Sequence, residues 1–106
     1  MPEYRFPPSD LHPDRSDDRY AVAFERGTLQ LGLYAPRGND GQSPHDQDEV
    51  YVVVKGRARL RNGETVHDVE QGEALFVAAG VEHRFEGMSD DFEAWVVFYG
   101  PPGGEG

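Results

Sequence analysis

The sequence predicts an all-β fold: an antiparallel β-sandwich or closed barrel. Three observations carry this. Apolar residues recur with period two in several short segments, as in TLQLGLY (28–34) and RARLR (57–61). Turn formers punctuate those segments at close intervals, with Gly27, Gly38, Gly56, Gly63, Gly72, Gly80 and Gly87 the clearest marks. No helical stripe of any length stands between residues 20 and 100.

The elements follow in order. Residues 1–19 hold Pro2, Pro7, Pro8 and Pro13, which rule out a regular helix and predict an extended arm that packs through Tyr4, Phe6 and Leu11. TLQLGLY places Leu29, Leu31 and Leu33 on one strand face, expected to point inward. RGNDGQSP (37–44) is a loop of turn formers. EVYVVVK (49–55) is a β-branched run expected to be covered on both faces. RARLR alternates, and Asn62-Gly63 after it is the strongest hairpin signal in the chain. TVHDV, ALFVAA, HRFEG and FEAWVVFYG complete a set of seven to nine strands. The body is placed at 20–100, and PPGGEG predicts a flexible tail over 101–106.

Bulk composition narrows the function. A chain of 106 residues makes one domain with one modest core. The formal net charge of −10 argues against a nucleic-acid or anionic-membrane partner, since both need clustered cations. The basic residues Lys55, Arg57, Arg59 and Arg61 alternate with small or apolar ones and read as the solvated face of a strand. There is no cysteine, so disulfides and thiolate chemistry are excluded. The first residues carry no apolar signal segment, and a soluble cytoplasmic protein is expected.

The chemistry concentrates in PHDQDEVYVVVKG (44–56) and GEALFVAAGVEHRF (72–85). They supply His45, Glu49 and His83, the residue types of a 2-His-1-carboxylate metal site. Singly, each has a plainer reading: a loop histidine, a solvated edge glutamate, a turn histidine. In an ideal strand His45 and Glu49 would stand about 13 Å apart, at ~3.3 Å per residue. They share a metal only if the chain bends at Asp46-Gln47-Asp48. His67 and His12 fit no motif and read as surface residues.

These two segments resemble the paired motifs of the cupin superfamily in its small single-domain form. The family's first motif has Gly, two His one residue apart, a Glu soon after and a closing Gly. Here His45 matches the second His, Glu49 the Glu and Gly56 the closing Gly. In the second motif Gly72, Gly80 and His83 match. Ser43 stands at the first His, Ala78 at the usual Pro and Gly87 at the usual Asn. The resemblance covers roughly residues 38–87 and implies a jelly-roll barrel, or double-stranded β-helix, with its site in the mouth.

The resemblance implies one divalent cation (iron, manganese, nickel or zinc) on His45, Glu49 and His83; the candidate fourth donors are the Ser43 hydroxyl, Gln47 on its side-chain chemistry alone, a water or a substrate atom. Tyr51, Phe76, Phe85 and Trp95 are the expected pocket-lining residues. It also implies a small-molecule ligand and a homodimer. Two functional classes stay open: a metal-dependent enzyme of oxygenase or isomerase type, and a non-catalytic binding module for a sugar or organic acid with a partly degenerate metal site.

Overall fold

Eight strands build two antiparallel sheets in the computed structural model, which describes residues 4–106. They are β1 (Tyr20–Arg26), β2 (Leu29–Tyr34), β3 (Asp48–Lys55), β4 (Arg57–Asn62), β5 (Thr65–Glu70), β6 (Ala74–Val77), β7 (His83–Glu86) and β8 (Glu93–Tyr99). One sheet has the order β1-β2-β8-β3-β6 and the other β5-β4-β7. They face each other as a jelly-roll sandwich over a core that includes Tyr51, Val53, Leu60, Val77, Phe85, Phe92 and Val96. Alternation in β4 is as the sequence implies, with Ala58 and Leu60 buried between exposed Arg57, Arg59 and Arg61. The β4–β5 hairpin turns on Gly63-Glu64, since Asn62 still pairs with Thr65.

Consecutive strands β3 and β4 lie in different sheets, so the chain must cross sharply at Gly56. Its φ is +79°, and a Cβ there would stand 2.8 Å from the Phe92 Cα. Only glycine tolerates both conditions. This explains the closing Gly of the first motif: it carries the chain between sheets.

Strand parity corrects part of the sequence reading. In β2, Gly32 pairs with Val96 and Leu33 with Trp95. Val96 faces the core, so Gln30, Gly32 and Tyr34 face inward, while Leu29, Leu31 and Leu33 take the outer face. Period two fixes which residues share a face but not which face is buried. Leu33 is nonetheless fully buried, outside the inter-sheet core cluster. A bulge between Val22 and Phe24 puts Phe24 beside Leu31 on that outer face. There the rings of Tyr4 and Phe6 pack on Phe24, at centroid distances of 5.8 and 5.4 Å. The arm thus packs on the body. It contains two short 3-10 turns, Pro8–Asp10 and Pro13–Arg15, each with proline in its first turn. Residues 1–3 of the expected arm lie outside the described residues.

The C-terminal segment also departs from expectation. Instead of hanging free, residues 101–106 are hydrogen-bonded to the body. The Gly103 amide donates to the Asp46 carbonyl at 2.6 Å, and the Glu105 amide to the Asp48 carboxylate at 2.8 Å. Asp48 accepts a second bond from the Ala79 amide at 2.9 Å. These amide donors, Glu105 first, hold the Asp48 carboxyl below its ordinary pKa against the cost of desolvation. A depressed pKa means the clasp is present above the ordinary carboxylate range and is lost as pH falls through the lowered value. Asp48→Asn should therefore speed amide hydrogen exchange at Ala79 and Glu105 at neutral pH and expose residues 101–106 to proteolysis. Unchanged protection would mean the clasp holds the tail without that charge.

Candidate metal centre

The site is assembled by a bend. His45 lies in the loop before β3, and the chain bends at Asp46 and Gln47 before the strand begins. Four sets of contacts pin that bend. The Gly80 amide donates to the His45 carbonyl at 2.7 Å, which ties this loop to the β6–β7 turn. Gly103 holds Asp46, as described. The Gln47 amide nitrogen donates to the Thr28 and Gly100 carbonyls, both at 3.0 Å. Asp48 binds Ala79 and Glu105. Glu49 then follows on the inner face of β3, opposite Val77 and Phe98. His83 opens β7 in the other sheet. Potential ligand atoms of His45, Glu49 and His83 consequently lie within 4.8 Å of one another.

The electrostatics of this trio are specific. Glu49 and His83 are both buried, at 1% and 5% exposure. His83 Nε2 stands 2.8 Å from Glu49 Oε1, within ion-pair reach. Yet Nε2 has no hydrogen-bond partner, and neither has Glu49 Oε2. The other ring nitrogen, Nδ1, is 2.9 Å from the Val81 carbonyl, which can only accept. Nδ1 therefore carries the proton in the neutral ring, and Nε2 presents a lone pair toward the carboxylate. Two lone-pair atoms this close repel unless a cation joins them. Burial works against the His83 imidazolium, but the Glu49 carboxylate, the Val81 carbonyl and the negative charge of Asp40 outweigh it and raise the pKa above the ordinary imidazole value. A buried position that favours a cation, lined by two imidazoles and one carboxylate, fits a divalent metal.

Behind the trio lies a network that motif spacing does not reveal. Buried Asp40 accepts from the Tyr34 hydroxyl (2.5 Å), the Phe85 amide (2.8 Å), and the Gln42 backbone and side-chain amides (3.2 and 2.7 Å). This fixes the Gln42 amide so that its oxygen stands 3.3 Å from His45 Nε2 and accepts from the Tyr51 hydroxyl at 3.1 Å. Burial and then Glu49 push the Tyr51 pKa well up, so the phenol remains a donor. The one available sequence signal was Asp40 two residues before Gln42, an Asx-turn spacing.

A cleft of about 680 Å³ opens beside His45, Ser43 and Gln47, with Tyr20, Tyr34, Tyr51, Val96 and Phe98 among its walls. Of the four residues expected to line it, only Tyr51 does. Phe85 is buried beneath, with its ring 4.9 Å from that of Tyr51. Trp95 and Phe76 are on the opposite face of the sheet, Phe76 at 52% exposure. Their neighbours Val96 and Val77 take the inward positions, so the correction is again one of parity. Tyr20 lines the cleft because Gly32 has no side chain: a Cβ there would fall 2.2 Å from the Tyr20 hydroxyl oxygen. Of the two candidate fourth donors, Gln47 has its amide nitrogen tied to backbone, and Ser43 is exposed at the cleft.

Comparison with known proteins agrees with this architecture. The Cupin domain family matches residues 30–99. An uncharacterized protein of Streptomyces coelicolor is 36% identical over 103 residues, covering 95% of this chain and 98% of its own. The crystal structure of a Klebsiella pneumoniae protein with a double-stranded β-helix domain is similar at a TM-score of 0.75 and 15% identity, covering 96% of this chain and 92% of that one. A cupin-2 domain protein from Shewanella frigidimarina is similar at a TM-score of 0.62 and 23% identity, over 76% of each chain.

The Asp40 network predicts a stability effect. Asp40→Ala should cost roughly 2–4 kcal/mol in urea unfolding, because it strands the buried Phe85 amide and the Tyr34 hydroxyl. A loss below about 0.5 kcal/mol, the range of ordinary surface substitutions, would show that water replaces the carboxylate.

Proposed function

The chain belongs to the cupin domain family, and from that premise we propose that it binds one divalent cation on His45, Glu49 and His83 and presents it to a small organic ligand in the adjoining cleft. The observation that carries this reading is the buried His83 Nε2, without a hydrogen-bond partner, 2.8 Å from Oε1 of a Glu49 carboxylate whose other oxygen is likewise unpartnered. A first-row metal fits two imidazoles and a carboxylate, and held by these three residues it would keep coordination positions for a ligand. When bound, the metal supplies Lewis-acid or redox chemistry of the kind oxygenases and isomerases use. The protein's part is to hold the donors: Val81 sets the His83 tautomer, Gln42 orients His45, and Phe98 packs against the His45 ring at 4.8 Å.

Ser43 favours a second reading. It stands where the family has its first histidine, and it is exposed at the cleft. A site with three protein donors also suits a non-catalytic module for a sugar or organic acid. Turnover of a bound ligand by metal-loaded protein separates the two readings.

Calorimetric titration of chelator-treated protein with zinc or manganese should give one site per chain. His45→Ala and His83→Ala should each lower affinity by more than about tenfold, since loss of an outer-shell partner alone already costs that much, while the fold persists. Glu49→Gln should weaken binding and Ser43→His should strengthen it. No saturable uptake by the wild type would refute the metal reading.

Metal affinity should also fall as pH drops. Ligation needs neutral His83, and its raised pKa lets protons compete at a higher pH than for an ordinary histidine. Retention of metal unchanged to well below pH 6 would contradict this.

A further inference from the structure

The cleft holds two arginines that the metal reading does not use. Arg19 Nε donates to the Ala35 carbonyl at 2.5 Å, and Arg37 Nη1 donates to that same oxygen at 3.1 Å. Arg37 Nη1 also reaches the Pro36 and Phe92 carbonyls, at 2.9 and 2.8 Å. The two guanidiniums therefore lie side by side, anchored through one nitrogen each, and both line the cleft that His45 borders. Their other nitrogens make no hydrogen bonds among the described residues.

Neither arginine has a carboxylate within ion-pair distance among the described residues; the ion pairs there involve Lys55, Arg61, Arg84 and His83. In a chain with twice as many acidic as basic residues, an adjacent unpaired pair of cations is a costly arrangement. The backbone adds to the cost. Arg19 is the only non-glycine among the described residues with positive φ, at +55°, a conformation closed by the Ala35 amide donating to its carbonyl. Burial and then the nearby Arg19 charge lower the Arg37 pKa, and the more distant charges of Glu93, Asp90 and Asp91 offset this only in part.

We infer that Arg19 and Arg37 form an oxyanion clamp for a small carboxylic acid with an apolar body. Guanidinium forks match a planar carboxylate in a bidentate way. Tyr20, Tyr34, Val96 and Phe98 wall the same cleft and suit the apolar part. Asp17, Asp18 and Asp46 also border it, so the local charge balance favours a monoanion over a dianionic phosphate. The inference deepens the reading of the cleft as a ligand site and rests on it, but it does not require a metal.

The test uses benzoate, its neutral isostere benzamide, and phenyl phosphate, titrated calorimetrically into chelator-treated and zinc-loaded full-length protein. Benzoate should bind the chelator-treated wild type, with benzamide and phenyl phosphate each weaker by roughly tenfold or more. Arg19→Gln and Arg37→Gln should each weaken benzoate to a similar extent, and Arg19→Lys less, in variants whose thermal melting stays cooperative. Because the wild-type comparison needs no variant, a misfolded Arg37→Gln leaves the test intact. Benzamide binding as well as benzoate, phenyl phosphate binding more tightly, or no benzoate binding at all would overturn the clamp. So would benzoate binding that needs zinc and ignores both arginine substitutions, which places the carboxylate on the metal. Arginine-dependent benzoate binding in a protein that takes up no zinc would keep the clamp and remove the metal reading.

Discussion

A carboxylate oxygen and a bare imidazole nitrogen held 2.8 Å apart in a buried position set the terms for this molecule. Such a pair is unfavourable in a low-dielectric interior unless a positive charge sits with it. The two sheets meet around it: Glu49 comes from the five-stranded sheet and His83 from the three-stranded one. The chain crosses between sheets at Gly56 and again in the turn between β6 and β7, and this later crossing places His83 opposite Glu49.

The same constraint explains why so much of the surrounding hydrogen bonding converges on a few loop residues. Backbone donors from the Gly80 turn and the C-terminal segment fix the bend between His45 and Glu49. Asp40 and Gln42 then orient His45 from the other side. Loops rather than the sheets supply this precision, so the long polar segment between β2 and β3 is structured although it contains no strand. Among the described residues no helix is long and apolar enough to cross a membrane.

The fold class was legible in the sequence because β-strand periodicity and glycine punctuation are local signals. Gly56, Gly72 and Gly80 all have positive φ, as turn positions require. His45, Glu49 and His83 were legible because their spacing is a motif, and the bend they need falls on polar Asp46 and Gln47. Parity was not legible. Leu29, Leu31, Leu33, Phe76 and Trp95 all share faces as their spacing says, yet those faces point away from the cleft. Apolar residues occur on both sides of these strands, and the outer side is partly covered by an arm whose packing is a tertiary fact. The strand Tyr20–Arg26 shows no clean alternation in the sequence, since its bulge breaks the period. Asp40, Gln42 and Arg19 were hidden for a further reason: Asp40 acts on Phe85, far away in sequence, Arg19 acts through an unusual backbone angle, and Gln42 left only its short Asx-turn spacing to Asp40.

Anomalous diffraction at the zinc edge, from crystals of chelator-treated protein reloaded with one equivalent of zinc, tests the central claim directly. The account predicts a single ion bonded to His83 Nε2, a Glu49 oxygen and an imidazole nitrogen of His45, at about 2.0–2.2 Å. A zinc ion elsewhere, or an empty site with a proton bridging His83 and Glu49, would contradict it.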